Sequence, residues 1–195
     1  MALEQHVYSV LIVNATEKFV EQILPLMSGA RFYPVDKAGS VNEARRKVAD
    51  RSYDIILINT PLPDDFGARF AIDVTSSTGS AVLLFIRADF YDAVYEKAHE
   101  SGVFLLRKPT SPAAIDQSLD WLCVTRERMR RLEKKSVSLQ EKMEEIKLVN
   151  RAKWALITNL NMTEDAAHRY IEKQAMDRCV SKRTVAEDIL RVYKD

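Results

Sequence analysis

The chain of 195 residues is 47% hydrophobic and 29% charged with a formal net charge of +1, which allows one domain of ordinary size plus a small one and by itself selects no class of partner. Two cysteines far apart in sequence argue against a disulfide framework. The apolar run at residues 7–13 has no basic segment before it and is too short to span a bilayer, so a cytoplasmic protein with no membrane partner is expected.

Residues 7–110 alternate strand and helix signals. The strands are VYSVLIV, RFYPV, DIILIN, AVLLFIR and VFLLR. Helices are expected over residues 17–28, from Ser40 with Glu43 at the capping-box position, over 66–76 and over 90–101. Five apolar strands separated by helices predict an α/β fold with a parallel, doubly wound sheet covered on both faces. Function in such a sheet sits at the carboxyl ends of the strands.

At those ends, DIILINTPLPDDFG places Pro63 and Gly67 four and eight residues after Asn59, the last residue of the third strand, and Lys108-Pro109 follows the fifth. In this pattern residues 1–112 resemble the flavodoxin-like receiver domain of response regulators. The resemblance implies a phosphoacceptor aspartate at position 59, an acidic pair at 14 and 15 and a hydroxyl ending the fourth strand. The chain has Asn59, Asn14 and Ala15, with Arg87 at the hydroxyl position (a shift of one residue would give Ile86), and keeps only Lys108. Magnesium needs hard oxygen ligands and an aspartyl phosphate needs a carboxylate. This set offers neither, so a pseudo-receiver with a degenerate phosphorylation site is expected. Asp64 and Asp65 are expected to pair with Arg87 or Lys108, and Lys108 to hold an acid in place of a phosphate.

From Pro112 no helix breaker occurs before Asn161, which predicts one helix leaving the first domain. Residues 113–146 read as a coiled-coil linker with Leu132, Leu139 and Ile146 at d positions and Ser136, Met143 and Asn150 at a. The polar residues at a weaken the seam and leave strand direction open, yet an apolar stripe on a lone helix would be exposed. A homodimer through Leu132, Leu139, Met143 and Ile146 is expected.

Residues 147–193 contain neither Gly nor Pro, and Thr163 and Ser181 are N-cap signals that cut them into three helices. Ala167, Ile171 and Ala175 line one face of the second helix. Val185, Ile189 and Val192, with Ala186, Leu190 and Tyr193, make a broad inner face on the third. Trp121 and Trp154 follow helical apolar stripes and are expected in cores. Lys182 and Arg183 fall in the first turn of the third helix, where cations meet the positive end of the dipole. That placement suits a phosphate held between free amides and two cations. From Lys147 onward ten Lys/Arg face seven Asp/Glu, against twelve and fourteen in residues 1–112, an asymmetry that favours a polyanion at the C-terminal end.

The segments RAKWALI, MTEDAA, AMDR and VAEDI resemble, in this order, an ANTAR domain, the RNA-binding module of the amidase and nitrate antitermination regulators. For residues 147–195 the resemblance implies a three-helix bundle that binds RNA hairpins with hexanucleotide loops and so prevents a terminator from forming. Candidate contacts are Lys182, Arg183, Lys153, Arg178, Arg151, Thr184 and Tyr170. The alternative is a DNA-binding regulator with a helix-turn-helix output, against which Glu187 and Asp188 stand where base-reading donors belong. A basic face meeting an acidic protein is a third reading. His6, His99 and His168 lack metal-ligand spacing, and no catalytic group or Gly-rich phosphate loop can be assembled. A regulator rather than an enzyme is expected, without cofactor or metal, its receiver open to a sensor protein or a small ligand.

Overall fold

The computed structural model describes residues 6–27 and 30–193. The chain divides into two compact units, Met1–Arg131 and Leu132–Asp195.

In the first unit β1 (Tyr8–Val13), β2 (Phe32–Ala38), β3 (Ile55–Asn59), β4 (Ala81–Arg87) and β5 (Phe104–Lys108) form one sheet in the order β2-β1-β3-β4-β5. Every pairing is parallel. Alternation sends successive strand residues to opposite faces, so both faces need cover. Val10, Ile12, Ile55, Leu57, Leu83 and Phe85 pack with α1 (Glu17–Ile23) and the start of α5 (Pro112–Leu160). Leu11, Val13, Ile56, Ile58, Val82 and Leu84 pack with α2 (Val41–Asp50), α3 (Ala68–Ser77) and α4 (Ala88–Glu100). The expected helix over 17–28 tightens into a 3₁₀ turn at Leu24–Met27, and its last residue, Ser28, lies outside the described residues. Ser40 caps α2 by accepting from the Glu43 N–H, while the Glu43 carboxylate takes the Gly39 N–H at 2.8 Å.

Helix α5 has 49 residues without an internal Gly or Pro. Its first turns bury Ile115, Leu119, Leu122 and Cys123 against the sheet. Trp121 was expected in this core but is 53% exposed, because it stands two residues, about 200°, round the helix from Leu119.

In the second unit the later part of α5 packs with α6 (Glu164–Asp177) and α7 (Lys182–Val192). Val149, Ala152, Leu156, Ala167, Ile171, Ala175, Val185, Ala186 and Ile189 form the core, in which the alanines leave room for close helix approach. Thr163 and Ser181 cap α6 and α7 by accepting from Ala166 and Thr184 N–H groups. Asn161, at φ 49, ends α5 in the left-handed conformation. Helix α6 closes with Cys179 N–H on the Met176 carbonyl and Val180 N–H on the Ala175 carbonyl, the paired bonds of a Schellman turn. Its left-handed residue is Cys179, at φ 52, where glycine is usual.

Two expectations fail in this unit. Trp154 is 66% exposed instead of buried, since it stands two residues from both Ala152 and Leu156 and therefore opposite their face. Val192 is also exposed, the buried stripe of α7 ending at Ile189. Leu132, Leu139, Met143 and Ile146 are all exposed along α5.

Candidate functional site

The carboxyl ends of β1, β3, β4 and β5 bring Asn14, Asn59, Arg87 and Lys108 to one edge of the sheet. Asn59 ends β3, and its Nδ2 donates to Asn14 Oδ1 at 2.8 Å. Lys108 Nζ donates to Asn59 Oδ1 at 2.8 Å and to the Thr60 carbonyl. Asn14, itself buried, closes the chain by donating to the Thr16 carbonyl. Burial, and then the like charge of Arg87, pushes the Lys108 pKa below the ordinary lysine value. Arg87 lies opposite Lys108 in the β4–β5 register and pairs with Asp89.

Neither Lys108 nor Arg87 takes the acid expected of it. Asp64 instead accepts from the Val41 and Asn42 N–H groups at 2.9 and 2.8 Å, because a helix start offers unsatisfied donors. Asp65 accepts from Gly67 N–H at 2.6 Å, bracing a loop that turns through φ 92 at that glycine. Lys108 holds an amide and a backbone carbonyl rather than a carboxylate. Two amides, one alanine and a lysine do not make a magnesium site, since that ion binds through carboxylates and retained water. Among the described residues no group of three or more His, Cys, Asp or Glu could hold a metal ion.

At the amino end of β3 the sequence reading missed an anchor. Asp54 Oδ1 accepts from Arg126 Nε at 3.0 Å and Arg130 Nη2 at 2.7 Å, while Oδ2 accepts from the Ser9 N–H at 3.0 Å. Burial would raise the Asp54 pKa, but the Ser9 and Arg126 hydrogen bonds and the Arg130 charge outweigh it and hold the carboxyl below its ordinary range. The pairs span more than seventy positions of sequence, so no local pattern could show them.

In the second unit Lys153 and Lys182 line one cavity of about 390 Å³, together with Lys142 and His168. Lys142, Ile146, Val149 and Lys153 share a helical face of α5, a spacing from which Lys142 could have been picked out. Three of these side chains have a nearby acid. Lys182 Nζ reaches Glu172 Oε1 at 2.5 Å, Lys153 reaches Glu164 at 3.0 Å and His168 Nε2 lies 3.3 Å from Glu172. The Lys182 hydrogen bond and charge hold the Glu172 carboxyl below its ordinary pKa.

Arg183 pairs with Glu187 at 3.0 Å and Arg178 with Asp188 at 2.7 Å, so the two acids that argued against a recognition helix hold arginines. Thr184 Oγ1 lies 2.9 Å from Ser181 Oγ at the cap. Tyr170 is 40% exposed. Arg151 stands apart from Lys153, about 200° round α5, in a second cavity of about 590 Å³ with Trp154, Arg191 and Tyr193.

A family model described as "ANTAR domain" matches residues 138–190, beginning inside the segment read as linker. Transcriptional regulatory protein PdtaR of Mycobacterium tuberculosis, in strains CDC 1551 / Oshkosh and ATCC 25618 / H37Rv, is 31% identical over 158 residues, which is 80% of this chain and 76% of the relative. Among solved structures, the signal receiver domain of an HD domain-containing protein from Pseudomonas fluorescens Pf-5 aligns with a TM-score of 0.58 at 17% identity. It covers 67% of this chain and 96% of that one. A response regulator receiver domain protein from Clostridium thermocellum aligns with a TM-score of 0.55 at 18% identity, covering 65% and 99%. These two establish a receiver-like fold for the first unit. No helix among the described residues is long and apolar enough to cross a membrane.

Proposed function

The chain belongs to the response regulators that carry an ANTAR output domain, and on that premise we propose that it is a transcription antitermination regulator whose bundle binds hairpin RNA. The observation that carries this is the convergence of Lys142, Lys153, His168 and Lys182 on one cavity of the matched bundle. Their present partners are no obstacle. The Lys182–Glu172 pair is exposed on both sides. Exposed ion pairs are worth about 0–1 kcal/mol, so an RNA phosphate can replace Glu172 at small cost. Lys153 is 16% exposed, but its partner Glu164 is 74% exposed and free to yield its place. Arg183 follows Lys182 in the first turn of α7 with Thr184, Arg178 stands at the C-cap of α6, and Tyr170 lies half-way along α6; together they extend the surface available to the RNA. Arg151 contributes from the opposite side of α5.

Control passes through a receiver that accepts no phosphoryl group. The Asn14–Asn59–Lys108 chain satisfies with neutral amides the positions where charge would otherwise be handled. A sensor protein or small ligand then sets the state of the receiver. The regulator acts as a homodimer, its seam the exposed Leu132, Leu139, Met143 and Ile146, with Ile146 standing where the seam meets the basic cavity, because an apolar stripe along a helix marks a face suited to packing against a partner. The segments read as 1–112, 113–146 and 147–195 serve as receiver, linker and output.

Crosslinking the protein to RNA in its native cell and sequencing what is bound tests the reading. Enrichment of leader segments with paired hairpins upstream of terminators is expected. Recovery of DNA alone, or of RNA without hairpins, would contradict it.

A further inference from the structure

Resting on the RNA-binding reading of the bundle, we propose a second contact that deepens it: the cleft between α5 and α7 at Trp154 receives one unpaired base, stacked on the indole. Trp154 is 66% exposed on a helix whose core contacts are already made by Ala152 and Leu156. It lines a cavity of about 590 Å³, a size suited to small planar groups, with Tyr193 and two guanidinium groups, Arg151 and Arg191. An aromatic face flanked by cations is the arrangement that stacks a base and holds its phosphate.

The charges favour a nucleic acid over another protein surface. Arg151 makes no ion pair among the described residues, and Arg191 comes only within 3.8 Å of Asp188. The acid of the cleft, Glu187, is already held by Arg183. A second copy of the chain would bring the same net-positive rim, which like charges oppose. On the same rim, Asn159 Nδ2 donates to the Ala155 carbonyl at 2.9 Å, which orients the amide and leaves its Oδ1 to accept from a base amino group. The cleft lies across α5 from the Lys153 and Lys182 cavity, so the two contacts are separable by substitution.

The test uses the full chain carrying Trp121→Phe, which leaves Trp154 as the sole tryptophan of the two. The probe is a synthetic RNA hairpin with a six-nucleotide loop and short single-stranded flanks, with a set in which each unpaired nucleotide in turn is abasic. Saturating intact RNA should quench Trp154, and one abasic hairpin should bind roughly tenfold more weakly. Trp154→Ala should weaken the intact hairpin by the same factor and be indifferent to that abasic position, while Trp154→Phe should bind like the parent. Intact hairpin bound equally by Trp154→Ala, or an abasic penalty that persists in it, would overturn the stacking contact. If Lys182→Ala/Arg183→Ala still weakens binding in that case, the RNA reading survives without it. No binding by the parent would overturn both. Quenching that rises with protein concentration in the absence of RNA would assign the cleft to self-association and overturn the proposal.

Discussion

Lys108 Nζ donates to Asn59 Oδ1 across 2.8 Å, and Asn59 in turn donates to Asn14 Oδ1 at the same distance. A cation and two amides are thus satisfied internally at the edge where receivers handle phosphate. Asn59→Asp alone should therefore give no phosphate adduct with acetyl phosphate and magnesium. The restored carboxylate would pair with Lys108, and transfer also needs a metal to neutralise charge on the moving group. Intact-protein mass measurement checks this. Wild type and the single variant should stay unmodified, and a triple variant with Asn14→Asp and Ala15→Asp should be modified at most in part. An adduct on wild type would refute the pseudo-receiver.

Asp54 should be a stability determinant of the first unit. Its side chain and those of Arg126 and Arg130 are 13–18% exposed, so Asp54→Asn removes a largely buried charge that both guanidinium groups share, with Glu127 still 3.8 Å from Arg130. A loss of about 3 kcal/mol is expected, read by urea unfolding through Trp121 in a Trp154→Phe background. The sign with pH follows from the lowered carboxyl. The wild-type advantage should be complete above the unfolded carboxylate pKa of about 4 and fade as pH falls through the lower folded value. An advantage that grows on acidification would contradict the assignment.

Dimerisation should fail in Leu139→Glu, since two carboxylates cannot be buried across one layer of a seam. Light scattering should report a dimer for wild type and a monomer for the variant. A monomeric wild type would dismiss the coiled coil.

Cys179→Gly should stabilise the bundle. At φ 52 a side chain costs about 1–2 kcal/mol, of which glycine recovers roughly half after its greater unfolded-state freedom is counted. A higher urea midpoint by Trp154 fluorescence in a Trp121→Phe background is expected. A lower one would mean that the thiol, which reaches the Met176 carbonyl, matters more than the strain.

What could be read from the chain follows the range of the forces involved. Four of the strands announced themselves as apolar runs, while β2 carries Asp36 and Lys37 and was read only as far as Val35. Ser40, Thr163 and Ser181 marked helix starts through contacts three residues away. Asn59 and Lys108 were legible because strand ends in a parallel sheet share one edge. Asp64 was misassigned because its donors lie 22 and 23 positions upstream at the start of α2. Trp121 and Trp154 were placed inside because helical spacing gives a period without saying which face is buried. His168 escaped notice since α6 meets α5 only in the folded bundle, whereas Lys142 shares the α5 face of Lys153 and was within reach of helical spacing.

The most direct measurement is equilibrium binding of the full chain to a hexaloop RNA hairpin, with duplex DNA and heparin as competitors, over about 50–200 mM salt. The hairpin should bind best, with affinity falling steeply with salt. Lys182→Ala/Arg183→Ala should bind more weakly with a salt slope shallower by about two and an unchanged circular dichroism spectrum. Equal competition by duplex DNA, or an affinity and slope untouched by the double substitution, would contradict an RNA interface at α7.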